Sequence, residues 1–171
     1  KVFNKKFQRL LKSVGEDSLN CGIGWLFVYY NEHGEITFKR LKPFEVIPGW
    51  KDAEHTILDY AIRIYEVIAY EGKQEKVIQK VEVYDDKGIT FFELTDGGSL
   101  KPVEPFVQNY FTITDEDGTE TGYNWTKIPL IPFKYNNNVF GCYRLGFVLF
   151  YRFCRTENIY GLSFRSWMRM D

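Results

Sequence analysis

The chain has 171 residues, 44% apolar, 26% charged and 18% aromatic, with twenty-two basic against twenty-three acidic residues and a net charge of −1. That length supports one domain with its own core, and the composition excludes a disordered or collagen-like polypeptide. The balanced charge excludes a chain that grips nucleic acid or anionic lipid through overall electrostatics.

Residues 1–19 set Phe3, Phe7, Leu10, Leu11 and Val14 at helical spacing with Lys5, Lys6, Arg9 and Lys12 on the other side, which predicts an amphipathic helix. Its basic face reads either as solvated surface or as a contact with phosphate or an acidic neighbouring subunit. The chain opens inside this helix, as a fragment or trimmed chain would. From Gly22 the period becomes two: Ile23, Trp25, Phe27 and Tyr29 share one face, Leu26, Val28 and Tyr30 the other. The turn Asn31-Glu32-His33-Gly34 then leads into Ile36–Leu41, a β-hairpin whose first strand is apolar on both faces and so buried on both. Pro43, Pro48 and Gly49 make 44–50 an irregular or short-strand connection, and 51–57 a polar turn.

Residues 61–70 mix helix formers with β-branched residues, and the alternation of Ile62, Ile64, Ile68 and Tyr70 against Arg63 and Tyr65 favours a strand. Two more strands, 77–84 and 89–94, flank the turn Asp85-Asp86-Lys87-Gly88, and Asp96-Gly97-Gly98 ends the meander. Pro102 and Pro105 mark an exposed connection, 110–114 a short strand, and Asp115-Glu116-Asp117-Gly118 a loop tip. Pro129 and Pro132 forbid a helix interior over 122–136 and allow an edge or extended segment.

The last thirty-one residues change in usage: five Arg and no Lys, against fourteen Lys and three Arg before them, with eight aromatics. Such a tail can stack on bases or bind a partner. The abrupt switch is better matched by a truncated or out-of-frame gene end.

Chemistry is sparsely signalled. No nucleophile-elbow, zincin, P-loop or dinucleotide fingerprint is present, and a strand, not a helix, follows Gly22-Ile23-Gly24. Cys21, Cys142 and Cys154 are odd in number and widely spaced, which argues against a disulfide framework or zinc site and for a reducing compartment. No apolar run approaches the ~20 residues of a membrane helix, so no membrane partner is expected.

His33 reads as a turn residue, and His55 with Asp52, Glu54 and Asp59 as a polar loop in preference to a metal cluster. Asp115, Asp117 and Glu120 hint at a calcium loop, but Thr126 stands where an EF-hand needs its last Glu. Glu82 and Glu93 are the kind of carboxylates a glycosidase pairs, a pattern any β-rich chain offers. The rings Trp25, Phe27, Tyr29, Phe91 and Phe92 suit a core, or, if exposed and aligned, a peptide or glycan platform.

A family resemblance rests on longer stretches. Asn20-Cys21-Gly22-Ile23-Gly24-Trp25, the turn Glu32-His33-Gly34-Glu35, and Leu41-Lys42-Pro43-Phe44-Glu45-Val46-Ile47-Pro48 resemble tailed-bacteriophage portal proteins of the SPP1 type. Trp50-Lys51-Asp52 and Leu58–Tyr65 continue the likeness, and Ile128-Pro129-Leu130-Ile131-Pro132-Phe133 running into Asn136-Asn137 matches the family's Ile-Pro-x-Ile-x-Phe-x-x-Asn-Asn signature. The resemblance implies a structural, non-catalytic subunit without cofactor, in a ring of about a dozen copies closed by heterologous contacts at a capsid vertex of the virion, assembled in the host cytoplasm. Its partners would be other portal subunits, terminase, head-completion proteins and, through the channel, double-stranded DNA. The matched stretch is similar to the family's peripheral wing. After Asn137 the likeness stops.

These readings combine into an α+β fold, an N-terminal amphipathic helix packed on a mostly antiparallel sheet of about six strands. The domain division is a wing-like body over 1–140 and an Arg/aromatic tail over 141–171. Lys5, Lys6, Arg9 and Lys12 are the candidate subunit or partner contact, with the tips at His33 and 115–118; no catalytic, cofactor or metal residues are expected. The rival readings are a β-rich binding module for a peptide or glycan and a carboxylate-based hydrolase.

Overall fold

The computed structural model describes residues 2–95 and 98–135; the turn residues Asp96 and Gly97, the Asn136-Asn137 pair and the 141–171 tail lie outside the described residues. Helix α1 spans Lys5–Cys21. Asn4 caps it by accepting a hydrogen bond from the Phe7 amide, and Gly22 ends it with φ 80°, a left-handed conformation that glycine adopts without a Cβ penalty.

Ten strands follow: β1 Ile23–Tyr30, β2 Ile36–Leu41, β3 Val46–Trp50, β4 Leu58–Glu71, β5 Gln74–Asp85, β6 Gly88–Leu94, β7 Leu100–Gln108, β8 Phe111–Thr114, β9 Glu120–Tyr123 and β10 Leu130–Lys134. They form three antiparallel sheets, ordered β10-β1-β2, β3-β4-β5-β6-β7 and β8-β9. The expected α+β fold with one sheet of about six strands is therefore corrected to a mostly β body with a single helix among the described residues. The segment 100–108, read as an exposed proline connection, is a strand, and 46–50 takes the short-strand form of its two readings. Both run along an edge of the five-stranded sheet, where a missing proline N–H disrupts no ladder on the outer side.

The helix lies on one face of the three-stranded sheet, against β1, β2 and β10. Phe7 meets Phe38 with ring centroids 4.6 Å apart, and Val14 is fully buried over Gly24. The opposite face carries Ile23, Trp25, Leu41 and Leu130, which join Val46, Ala61 and Tyr84 of the larger sheet in one cluster. Period-two alternation sends Ile62, Ile64, Val81 and Val83 to the far face of that sheet, where they form a second cluster with Ile47, Phe92 and Leu100. A layered order results: helix, small sheet, large sheet.

Close helix-to-sheet approach depends on Gly24, since a Cβ there would overlap the Val14 carbonyl, a backbone atom that cannot swing away. Gly24→Ala is expected to push α1 off β1 and lower the unfolding free energy by about 1–3 kcal/mol, read from the urea midpoint.

Candidate functional site

The densest cluster of ionisable groups among the described residues is buried between β4, β5 and a single 3₁₀ turn at Pro43–Glu45. Arg63 donates from Nη1 to Glu82 Oε2 at 3.1 Å, and from Nε and Nη2 to Glu45 Oε2 at 3.1 and 3.0 Å. Tyr65 and Tyr84 donate to Glu82 at 2.7 and 2.6 Å, and Lys42 stands 3.3 Å from Glu45 Oε1. Burial disfavours the Arg63 charge, but the carboxylate of Glu82, with Tyr84 and Glu45 behind it, outweighs burial and raises its pKa. Every oxygen of Glu82 is occupied from within the chain, so the cluster offers a substrate neither a free acid nor an open position. It works as a clamp across three segments.

The clamp was not singled out in the sequence, although a signal exists. Gly72, with φ 67°, opens a two-residue turn between Glu71 and Gln74, and counting back from it along both strands brings Arg63 opposite Glu82.

The other acids do not converge. Glu93 faces Lys80 across β5 and β6, while Glu82 is held in the clamp. Asp115, Asp117 and Glu120 all lie exposed on the β8–β9 hairpin, and no group of three His, Cys, Asp or Glu side chains among the described residues is set to hold a metal. His33 sits exposed on the β1–β2 turn, as expected. His55 has a positive φ of 57° and stacks on Trp50 at 5.6 Å.

That 51–57 loop is ordered by Asp52, whose carboxylate accepts from the Thr56 amide at 2.8 Å, the Thr56 hydroxyl at 2.8 Å and the Ile57 amide at 2.7 Å. The Thr56 amide foremost, then the Ile57 amide and the Thr56 hydroxyl, hold the Asp52 pKa down to about 2. Its share of loop order is present above the ordinary carboxylate range near ~4 and is lost as pH falls toward 2. A carboxyl carbon NMR titration should place the Asp52 midpoint near 2. Beside the loop, Lys134 donates to the His55 carbonyl and lies 4.3 Å over the Trp50 ring; burial lowers its pKa.

Trp25 is completely buried, and Tyr29 and Phe91 are only partly exposed, so the strand rings do not form the aligned platform that a peptide or glycan module needs. Exposed apolar surface lies elsewhere. Beyond Arg63 on β4 and Gln79 on β5 the two strands pair only with each other, and this ribbon shows Ile68, Tyr70 and Val77 to solvent. Lys5, Lys6, Arg9 and Lys12 are all exposed on α1; Lys12 approaches Glu16 at 3.9 Å, a surface pair of little energetic weight. Asp17, on the buried side of the same helix, instead accepts two bonds of 2.6 Å from Arg40. That hydrogen-bonded carboxylate raises the Arg40 pKa.

Comparison with known proteins decides the family. The model of the family described as "Phage portal protein, SPP1 Gp6-like" matches residues 3–143. The chain belongs to this portal protein family. It is also similar to the portal protein of Bacillus phage SPP1, with 26% identity over 133 residues. That alignment covers 78% of this chain and 25% of the SPP1 protein, so the chain spans about a quarter of its relative's length. The clamp, the helix and all ten strands of this portal-family chain fall inside the matched residues. Among the described residues no helix is long and apolar enough to cross a membrane.

Proposed function

We propose that this chain acts as part of a portal subunit, a non-catalytic, load-bearing piece of the ring through which double-stranded DNA enters and leaves a capsid. The observation that carries the reading is the family match over residues 3–143. The buried clamp supports it, since its ionisable groups are spent on cohesion.

In this reading residues 1–140 are the wing-like body and 141–171 a separate Arg/aromatic tail. Exposed residues Lys5, Lys6, Arg9 and Lys12 meet a neighbouring subunit, while terminase and head-completion proteins are met through other parts of such a subunit. The place of action is the capsid vertex, after assembly in the host cytoplasm, and no cofactor takes part.

Ring-forming contacts are heterologous, so copies should associate without closing at a symmetric dimer. Sedimentation of the 171-residue chain is expected to show concentration-dependent species above twice 20.3 kDa. A 20.3 kDa monomer at every concentration contradicts the presence of ring-forming contacts within this piece of the subunit.

A further inference from the structure

Two exposed surfaces of this molecule are opposite in charge and form no ion pair among the described residues. On α1, Lys5, Lys6 and Arg9 form no ion pair among the described residues, and the first turn holds no acid. Cations there oppose the helix macrodipole, which favours negative charge at an N-terminus, so a neighbouring carboxylate would relieve a local cost. Phe3, 67% exposed, packs on Phe7 and Phe38 toward the apolar side of the helix.

The β8–β9 hairpin is the counterpart. Asp115, Glu116, Asp117 and Glu120 are exposed and form no ion pair among the described residues, and no Lys or Arg occurs between Lys101 and Lys127. Backbone bonds from Asp115 to Thr119 and from Gly118 to Asp115 fix the tip without these carboxylates. Ile113 and Tyr123 add exposed apolar surface next to the acids. The hairpin thus has the make-up of half an interface, exposed apolar side chains rimmed by charge of one sign, and the helix face offers the opposite charge.

We infer that the basic N-terminal face of α1 on one copy docks on the acidic β8–β9 hairpin of the next copy, a head-to-tail contact between different patches of the same chain. This rests on the portal reading and names the surfaces that would join its subunits. Charge complementarity selects the occupant. Residues 1–140 hold seventeen basic and twenty-one acidic side chains, so the body as a whole repels both another copy and a phosphate backbone. Attraction has to be local, and among the described residues the β8–β9 hairpin is acid-rich and free of Lys and Arg. Duplex DNA is the weaker fit, because the helix offers it a few cations with Glu16 among them.

The test uses the full 171-residue chain and two variants. Lys5→Glu/Lys6→Glu/Arg9→Glu places acids where the helix dipole favours them, so α1 is kept. Glu116→Lys/Asp117→Lys/Glu120→Lys alters exposed side chains outside the backbone bonds of the tip. Sedimentation in low salt is expected to show each variant associating about tenfold or more weakly than the wild type, with an equimolar mixture of the two regaining association. The mixture works because each variant supplies the partner the other needs.

Wild-type assembly that ignores both reversals, or a mixture that stays dissociated, overturns this interface and leaves the portal reading standing. Loss of retention on duplex DNA in the helix variant, with self-association unchanged, overturns it in favour of nucleic acid. A wild-type chain that remains monomeric overturns this contact and leaves the family membership standing.

Discussion

Arg63→Met is expected to lower the unfolding free energy by about 3–5 kcal/mol, seen as a fall in the urea midpoint at unchanged m. Arg63 is the cation that holds two carboxylates, the buried Glu82 and the partly buried Glu45, and its side chain is nearly sealed from solvent at 9% exposure. Removing it leaves two acids facing each other's field in a medium that solvates them poorly, and neither Tyr65 nor Tyr84 can replace the lost charge. Neutralising the whole group at once, with Arg63→Met, Glu45→Gln and Glu82→Gln together, should recover most of the loss, because the penalty comes from unpaired charge and not from missing contacts. A single-variant cost below about 1 kcal/mol would show that the clamp is not what fixes the 3₁₀ turn to β4 and β5.

The same cluster sets a pH limit. Burial, reinforced by Glu82, raises the pKa values of Tyr65 and Tyr84; burial, with Asp85 and Asp86, raises that of Tyr110. These phenols stay protonated in the folded chain at a pH where the unfolded chain has begun to lose its phenolic protons near ~10. The folded state then binds more protons, so their contribution is complete below about pH 10 and is withdrawn as pH rises above it. Urea midpoints at pH 9 and 11 should differ more in the wild type than in a Tyr65→Phe variant.

Trp25→Ala is the second large effect, a loss of about 3–5 kcal/mol. The side chain is fully buried, lies in register between Leu41 of β2 and Pro132 of β10, and stacks on Trp50 with centroids 6.1 Å apart. Truncation opens a cavity where the small and large sheets meet, and backbone pairing on both sides of β1 prevents the site from collapsing. Trp25→Phe should lose much less. It keeps a ring in the gap and removes the Nε1–H, a buried donor without a hydrogen-bond partner among the described residues. Urea unfolding of the two variants side by side checks the order, and a phenylalanine variant as unstable as the alanine one would refute this account of the core.

What could be read from residues alone followed local chemistry. The β1–β2 hairpin showed itself because alternating apolar residues flank Asn31-Glu32-His33-Gly34, and Asn31 does fold that turn by accepting from the His33 and Glu35 amides. The 85–88 turn was legible for the same reason, with the Asp85 carboxylate taking the Lys87 amide. The helix was placed too early by a few residues, since Asn4 and Gly22 act as its caps and the apolar spacing by itself sets no end.

Non-local choices were hidden. Prolines 102 and 105 looked like strand breakers because edge position, which makes them tolerable, is a property of the assembled sheet. Division into three sheets was equally invisible: β10 returns across about a hundred residues to pair with β1, and nothing in 130–134 names that partner. The basic helix face was found from spacing, whereas the clamp was missed because Arg63 and Glu82 only meet once the 72–73 turn sets the register.

Locating the chain in a virus particle tests the portal assignment most directly. Antibody fragments raised against the exposed 51–57 loop, gold-labelled and applied to opened particles from the virus that encodes the chain, should mark one vertex of each capsid and no other part. Label spread over the capsid faces or along the tail, or a chain absent from purified particles, would contradict the account.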